Sequence, residues 1–183
     1  ELLLAVDQGT SATKALVVDR SGRVLAQGSV PVGQTFPRPG RAEQDALEIW
    51  RSVQDAVRLA LVDVEVERVA AVGLSTQRES MLLWERATGE PVGPLLGWQD
   101  TRGATRCARL REEGHAERVR SLTGLPLDAM FSASKASALL DAHDPDRSRS
   151  RAGELCLGTV DSWLLWRAGG EHLVEAGNAS RTQ

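Results

Sequence analysis

Residues 2–18, which read LLLAVDQGTSATKALVV, decide the fold. Two runs of strand length, Leu2–Val6 and Lys14–Val18, flank a short stretch rich in the residue types that make turns. The first run is apolar throughout, which predicts a strand buried on both faces. We therefore expect the chain to open with two strands joined by a polar turn.

The residues that follow extend this hairpin into a mixed sheet. Val24–Val30 predicts a third strand, with Val24, Ala26, Gly28 and Val30 on one face, so the first three strands form an antiparallel meander. Residues 45–62 repeat apolar side chains at helical spacing, with Asp45 as the predicted N-cap and Glu48 returning the capping bond. Val69–Leu74 follows that helix and predicts a buried strand parallel to a neighbour.

The rest of the chain alternates short strands and helices, and the whole is predicted to be an α/β domain with a mixed sheet flanked by helices. The further predicted elements are strands at 81–84, 95–98 and 155–157, and helices at 100–113, 115–122, 132–142 and 160–167, the last capped by Thr159.

Composition excludes several classes of protein. The chain has 22 basic and 25 acidic residues and a formal net charge of −3, which gives no electrostatic reason to expect nucleic acid or an anionic membrane as a partner. No apolar run approaches the roughly 20 residues that span a bilayer. Cys107 and Cys156 are too few and too far apart for a disulfide scaffold, so we expect a reducing cytoplasmic location.

The turn between the first two strands has the chemistry of a phosphate site. An aspartate at the end of a buried strand, Asp7, can hold hydrated Mg²⁺, and Gly9 lets the backbone approach a ligand closely. The amides and hydroxyls of Thr10 and Ser11 can cradle phosphate oxygens, and Lys14 supplies a cation. The same residue types also populate ordinary hairpin turns, so this octet alone leaves both interpretations open.

A second polar cluster follows the strand at 69–74. Arg78 offers planar donors and Glu79 a paired acceptor, and neighbouring hydroxyls of a polyol need both. Trp98, at the end of the predicted strand at 95–98, can form a wall against the carbon face of such a ligand. A solvated ion pair and a core tryptophan are the alternative interpretations. We expect this cluster and the phosphate turn to converge on a single cavity.

Several segments, in order along the chain, resemble the FGGY family of carbohydrate kinases. Glutamine, arginine and glutamate at 77–79 resemble the glycerol kinases of that family more than its xylulokinases. The segments that carry the resemblance are 7–11, 39–50, 76–79, 98–99, 123–125, 131–135, 158–164 and 178–182.

The resemblance implies an actin-like ATPase (ribonuclease H-like) fold and transfer of the γ-phosphoryl group of ATP, with Mg²⁺, to a terminal hydroxyl of a small polyol or sugar. It also implies that residues 1–183 are the amino-terminal domain of a longer protein, whose carboxy-terminal domain is a partner of this one. The resemblance leaves the oligomeric state open, with a homo-oligomer as one alternative.

The resemblance assigns roles to individual residues. By position, Thr10, Ser11 and Ala12 would contact ATP phosphates, Lys14 would replace an arginine near the nucleotide, and Asp7 would sit by the metal. In the second cluster, Arg78 and Glu79 would bind the polyol hydroxyls and Trp98 would pack on its carbon face.

This chain departs from the glycerol kinases at two positions. Met130 stands where they carry a tyrosine, and it cannot donate a hydrogen bond to glycerol; Ala138 stands where they carry a tryptophan. The identity of the substrate is open for this reason, and another sugar such as a pentulose is an alternative. The family's catalytic base and adenine pocket lie beyond residue 183, so the catalytic residue is unknown and we expect these 183 residues alone to be inactive.

Two further classes of protein compete with a kinase. One is a non-catalytic ATP-binding module of the same fold, which has no use for Arg78 and Glu79 in a small cavity. The other is a protein-interaction domain, which would bind neither nucleotide nor polyol.

Overall fold

The computed structural model describes residues 1–183, which form two compact units. The first unit contains residues 1–34 and 45–77, and the second contains residues 35–44 and 78–183. In chain order the elements are β1 (Leu2–Gln8), β2 (Ala12–Asp19), β3 (Val24–Pro31), β4 (Glu43–Gln44), α1 (Ala46–Ala60), a 3₁₀ turn (Val66–Arg68), β5 (Val69–Thr76), β6 (Met81–Glu85), β7 (Leu95–Leu96), α2 (Ala104–Glu112), α3 (Ala116–Thr123), α4 (Ser132–His143), α5 (Ser148–Arg151), β8 (Leu155–Thr159), α6 (Val160–Gly169) and α7 (Ala176–Ala179).

The first unit is a four-stranded mixed sheet with α1 packed on one face. The strands lie in the order β3-β2-β1-β5, with β1–β2 and β2–β3 antiparallel and β5 parallel to β1. The predicted meander, helix and parallel strand are all confirmed. They follow from local periodicity, because each apolar repeat matches the side-chain spacing of one kind of element.

Helix α1 begins as predicted, but its cap is only half of a capping box. Asp45 accepts a hydrogen bond from the backbone N–H of Leu47 at 2.8 Å. Glu48 instead accepts from the N–H of Gly33 at 2.8 Å, so the predicted reciprocal bond is wrong. The carboxylate of Glu48 thereby ties the segment after β3 to the first turn of the helix.

The core of the first unit lies between α1 and one face of the sheet. It contains Leu4, Val6 and Val17 from the strands and Ala56 and Ala60 from the helix. Gly28 of β3 brings the two layers unusually close, because a Cβ there would stand 2.2 Å from the carbonyl oxygen of Ala56.

The opposite face of this sheet is open, which corrects two predictions. Strand β1 alternates between buried and exposed residues rather than being buried on both faces, and Leu3 on the outer face is exposed. Strand β5, at the edge of the sheet, is largely exposed on both faces: Val72 is in register with buried Leu4 and so lies on the α1 side, yet it is 64% exposed. Both runs are apolar as predicted, but burial also requires a covering layer, and α1 packs mainly on β2 and β3, on one face of the sheet.

The second unit is built on a short antiparallel sheet in the order β4-β7-β6-β8. Strand β7 is only two residues long, shorter than the predicted strand at 95–98. Asp100, which is fully buried, accepts from the N–H of Ala42 and from Arg102, and Arg102 also pairs with Glu43 at 2.5 Å. Burial alone would raise the pKa of Asp100, but these hydrogen bonds lower it.

Helices of the second unit follow the predicted positions with shifted ends. Helix α6 starts after Thr159 as predicted, but Thr159 does not cap it through its side chain. Its hydroxyl bonds the carboxylate of Asp161 at 2.5 Å. None of the helices is both long and apolar enough to traverse a bilayer.

Candidate functional site

The first candidate is the turn between β1 and β2, in the first unit. The N–H of Gly9 donates to the carbonyl oxygen of Ala12 at 2.9 Å and closes the turn. Ser11 is exposed at its tip, while Thr10 and Ala12 are half-buried. A tight hairpin turn with an exposed hydroxyl and backbone amides at its tip is able to bind an anion.

Two charged side chains stand beside this turn on the open face of the sheet. Asp7 and Lys14 are directly opposite each other in the antiparallel ladder, and both are exposed. Directly opposite residues on one face have their Cβ atoms about 5 Å apart. One carboxylate and one ammonium therefore lie next to the β1–β2 turn, an arrangement that the predicted phosphate site requires.

A buried polar layer supports the turn from the other face. Gln8 is fully buried and receives hydrogen bonds from Gln77, through its backbone N–H at 2.7 Å and its side-chain amide at 3.1 Å. The hydroxyls of Thr13 and Ser52 share a hydrogen bond of 2.6 Å. This layer was not predicted from the sequence; its signal is a polar residue at each strand end where the buried alternation calls for an apolar one.

Glu79 is the best-defined residue of the second candidate site, which lies in the second unit. Its side chain is largely buried, with the residue 8% exposed, and its φ of 61° lies in the left-handed region. That conformation is uncommon for a residue other than glycine and costs of order 1 kcal/mol. The hydroxyl of Ser132 donates to the carbonyl oxygen of Glu79 at 3.2 Å and helps to hold it.

The partner of Glu79 is Arg181, not Arg78. The Nε of Arg181 donates to Oε1 of Glu79 at 2.6 Å, and the guanidinium lies 5.0 Å from the ring centroid of Phe131. Arg78 is exposed, and its charge contributes to the lowered pKa of Glu175, after the hydrogen bonds that Glu175 accepts from backbone N–H groups. The alternative interpretation, a solvated ion pair between Arg78 and Glu79, is therefore not what the structure has, because Glu79 pairs with Arg181 instead.

Trp98 and Met130 are held close to Glu79 by the backbone. The N–H of Trp98 donates to the hydroxyl of Ser80, the residue after Glu79, at 3.1 Å, and its side chain is 39% exposed. Met130 is half-buried and precedes Phe131, on which Arg181 stacks. The structure thus brings Glu79, Trp98 and Met130 into one neighbourhood, with the indole accessible to a ligand.

Lys135, in the second turn of α4, fixes the loop that carries Met130. Its ammonium is fully buried and donates to the carbonyl oxygens of Ala129 at 3.1 Å, of Phe131 at 3.3 Å and of Met130. Burial lowers the pKa of Lys135 to about 8, against the opposing effect of nearby carboxylates that include Glu79. In the sequence, this lysine stands out only as the last residue of the segment 131–135 that carries the family resemblance.

Ala138, the second departure from the glycerol kinases, lies on α4. It lines a groove of about 300 Å³ together with Arg102, Arg106 and Asp141. A small residue here leaves space between α2 and α4.

Comparison with known proteins identifies the family. Residues 2–183 match the sequence profile of the FGGY family of carbohydrate kinases, N-terminal domain. The chain belongs to this family. The predicted α/β fold with a mixed sheet, of the actin-like ATPase type, is confirmed with it.

Named relatives and solved structures of the family agree with this assignment. The chain is 50% identical over 184 residues to a glycerol kinase of Aromatoleum aromaticum, a match that covers 98% of this chain and 37% of the relative. It is 43% identical over 184 residues to an apulose kinase of Pectobacterium atrosepticum, covering 100% of this chain and 37% of that protein. A glycerol kinase of Plasmodium falciparum, solved with ADP, superimposes with a TM-score of 0.91 at 24% identity, covering 99% of this chain and 37% of the other. The chain thus spans little more than a third of the length of these relatives.

Proposed function

We propose that the full-length protein containing this FGGY domain transfers the γ-phosphoryl group of ATP to a terminal hydroxyl of a small polyol, with glycerol as the first candidate. The observation that carries the proposal is the ordered set of Glu79, Trp98 and Met130 in the second unit. Three observations support it: one oxygen of the Glu79 carboxylate is free of hydrogen bonds, the backbone of Trp98 is bonded to the next residue, Ser80, and Met130 is half-buried in the loop before α4. Sequence identity of 50% to a protein named glycerol kinase supports the choice of polyol.

Each residue proposed to bind the substrate has a role that follows from the chemistry of its side chain. Glu79 accepts a hydrogen bond from one hydroxyl, and exposed Arg78 donates to another. Trp98 packs on the carbon atoms between the hydroxyls, since an indole face is apolar. Met130 adds apolar contact but no hydrogen bond, so the site has one donor fewer than the glycerol kinases it resembles.

The β1–β2 turn is the proposed site for the nucleotide. Thr10, Ser11 and Ala12 would contact the phosphates through backbone N–H groups and hydroxyls, and Lys14 would neutralise part of their charge. Phosphoryl transfer relies mainly on such positioning and charge stabilisation. The ADP in the Plasmodium falciparum structure supports the use of an adenine nucleotide by this fold.

Asp7 is the proposed metal residue, and its surroundings fit Mg²⁺ bound through the nucleotide. The chain contains no group of three or more acidic, histidine or cysteine side chains that would hold a metal ion by itself. Mg²⁺ usually keeps several waters and takes only one or two protein carboxylates besides phosphate oxygens, which a single exposed aspartate satisfies. When bound, Mg²⁺ would neutralise charge on the transferring phosphate.

The test uses the full-length protein with ATP and Mg²⁺ and a panel of acceptors: glycerol, D-xylulose, apulose and D-gluconate. ADP release is followed by a coupled assay. We expect glycerol to give the highest kcat/KM. Glu79→Gln should raise the KM for glycerol and leave that for ATP near the wild-type value, whereas Lys14→Met should do the reverse. ADP release that is independent of any acceptor would refute the proposal.

A second candidate is a kinase for a pentulose. It is favoured by the 43% identity to a protein named apulose kinase and by methionine at 130. A kcat/KM for apulose or D-xylulose above that for glycerol would establish it in place of the first candidate.

The proposed function also implies what the rest of the full-length protein supplies and where in the cell the protein is found. The carboxy-terminal part of the full-length protein would supply the catalytic base and the adenine pocket. A cytoplasmic location fits a substrate of this kind, and it is supported by two cysteines that are both buried free thiols.

A further inference from the structure

We propose that Arg181 is a positioning residue that holds the carboxylate of Glu79 ready to accept a substrate hydroxyl. This inference rests on the proposed function, because it assigns a role at the same polyol site. It concerns a contact between residues 102 positions apart in the sequence, which neither the resemblance nor the proposed function uses.

The geometry of the pair leaves one carboxylate oxygen available. Oε1 of Glu79 receives the Nε–H of Arg181 at 2.6 Å, and no hydrogen bond of the chain reaches Oε2. Oε2 is also not among the buried polar atoms that lack a partner. The arginine therefore fixes the carboxylate plane through one oxygen and leaves the other accessible to a ligand.

The negative charge of the buried Glu79 carboxylate requires a cation such as Arg181 beside it. A largely buried carboxylate needs a cation that is also hydrogen-bonded to it, since an unpaired buried charge is strongly unfavourable. Lys135 is the other cation near Glu79, but its ammonium is occupied by three backbone carbonyl oxygens. Arg78 is exposed and makes no ion pair with Glu79. Arg181 is thus the cation that contacts the carboxylate directly.

Arg181 is itself held in place on two sides. Its guanidinium stacks on the ring of Phe131, a contact favourable for a planar cation. The next residue, Thr182, accepts through its carbonyl oxygen the N–H of Ala133, at the start of α4, at 2.8 Å. The side chain of Arg181 is only 33% exposed. These contacts hold the guanidinium of Arg181 in one orientation. Its hydrogen bond to Oε1 then holds the carboxylate of Glu79 in one orientation as well.

Upstream, the segment that carries Arg181 is fixed by a buried carboxylate. Asp161 accepts from the backbone N–H of Glu175 at 2.9 Å and from the side-chain amide of Asn178 at 2.7 Å. Helix α7 is therefore tied to α6 immediately before Arg181. A rigid support of this kind is what a positioning residue requires.

The experiment compares Arg181→Gln and Arg181→Lys in the full-length protein, with Arg106→Gln as the matched control. Arg106 also forms a 2.6 Å pair, but with Asp141 and not with Glu79. Initial rates give kcat and KM for glycerol and for ATP, and circular dichroism melts report folding. We expect Arg181→Gln to raise the KM for glycerol about tenfold or more, the effect of a lost charge-assisted hydrogen bond. The KM for ATP should stay near wild type, and Arg181→Lys should recover part of the loss.

A double-mutant cycle with Glu79→Gln separates positioning from a general structural effect. If Arg181 acts through Glu79, Arg181→Gln added to Glu79→Gln should change the KM for glycerol less than twofold. Equal effects of Arg181→Gln in both backgrounds would overturn the inference, and so would a wild-type KM for glycerol in both Arg181 variants. If Arg181→Gln fails to fold, the Arg181→Lys variant and its cycle carry the test alone. A wild-type protein without acceptor-dependent ADP release would overturn the proposed function and this inference together.

Discussion

Replacing Gly28 by alanine tests the packing of α1 on the sheet of the first unit. Gly28 lies on β3 beneath α1, where a new Cβ would stand 2.2 Å from the carbonyl oxygen of Ala56 and 2.7 Å from the Cβ of Leu59. An ordinary contact of this kind is 3.4 Å or longer. The helix would have to move away from the sheet by about 1 Å, because a backbone carbonyl cannot rotate aside as a flexible side chain does.

The expected cost is at the upper end of the range for overpacking, about 3 kcal/mol of unfolding free energy for the first unit. A domain of this size loses several degrees in Tm for each kcal/mol, so its Tm should fall by about 10 °C or more. Gly73→Ala is the matched control, since Gly73 also lies in a strand and a Cβ there meets nothing within 4 Å. It should be neutral or stabilise by up to about 1 kcal/mol.

Thermal unfolding followed by circular dichroism measures both variants in the 183-residue chain. Hydrogen exchange of peptides from α1 and β3 then assigns the change to the first unit, because local opening is read from the amides that lose protection. A Gly28→Ala protein that melts with the wild type, and retains the protection of α1, would refute the packing argument.

Three other predictions follow from buried charges and from the length of the chain. Burial lowers the pKa of Lys135 from its ordinary 10.5 to about 8, so between these pH values the unfolded state binds more protons than the folded state. The free energy of unfolding, measured in urea, should therefore rise by up to about 3 kcal/mol from pH 8 to 10.5. The Lys135→Met variant should not show this rise. Asp100→Asn leaves Arg102 without its buried partner and should lower the free energy of unfolding by about 3 kcal/mol at neutral pH; a change below 1 kcal/mol would contradict this. The 183-residue chain with ATP, Mg²⁺ and glycerol should release no ADP above a control without protein, and clear release would mean that a catalytic base lies within it.

Local pattern was sufficient to predict most of the fold. The meander, α1 and the parallel strand β5 were predicted because apolar periodicity depends only on neighbouring residues. The burial of β1 and β5 was not, because it depends on which strands and which faces another layer covers. Leu3 and Val72 have the residue types of a core and are nevertheless exposed.

The candidate site was predicted in its residues but not in its contacts. Sequence reasoning singled out Glu79, Trp98 and Met130 one by one, and the structure brings them together through Ser80 and the loop before α4. The arginine that pairs with Glu79 could not be found from spacing, because a contact across 102 residues leaves no local pattern. The left-handed backbone of Glu79 was equally invisible, since glutamate has no preference for that region.

Uncovered apolar residues of the first sheet affect how the isolated chain would behave in solution. Leu3 presents aliphatic surface on the face opposite α1, and Val72 and Leu74 do so on the α1 side of β5, which is an outer strand of the sheet. Exposed apolar strands at a sheet margin are sites where copies of a chain associate with one another. Sedimentation of these 183 residues at rising concentration would consequently report self-association through these uncovered residues, and the assembly state of the full-length protein has to be measured on that protein itself.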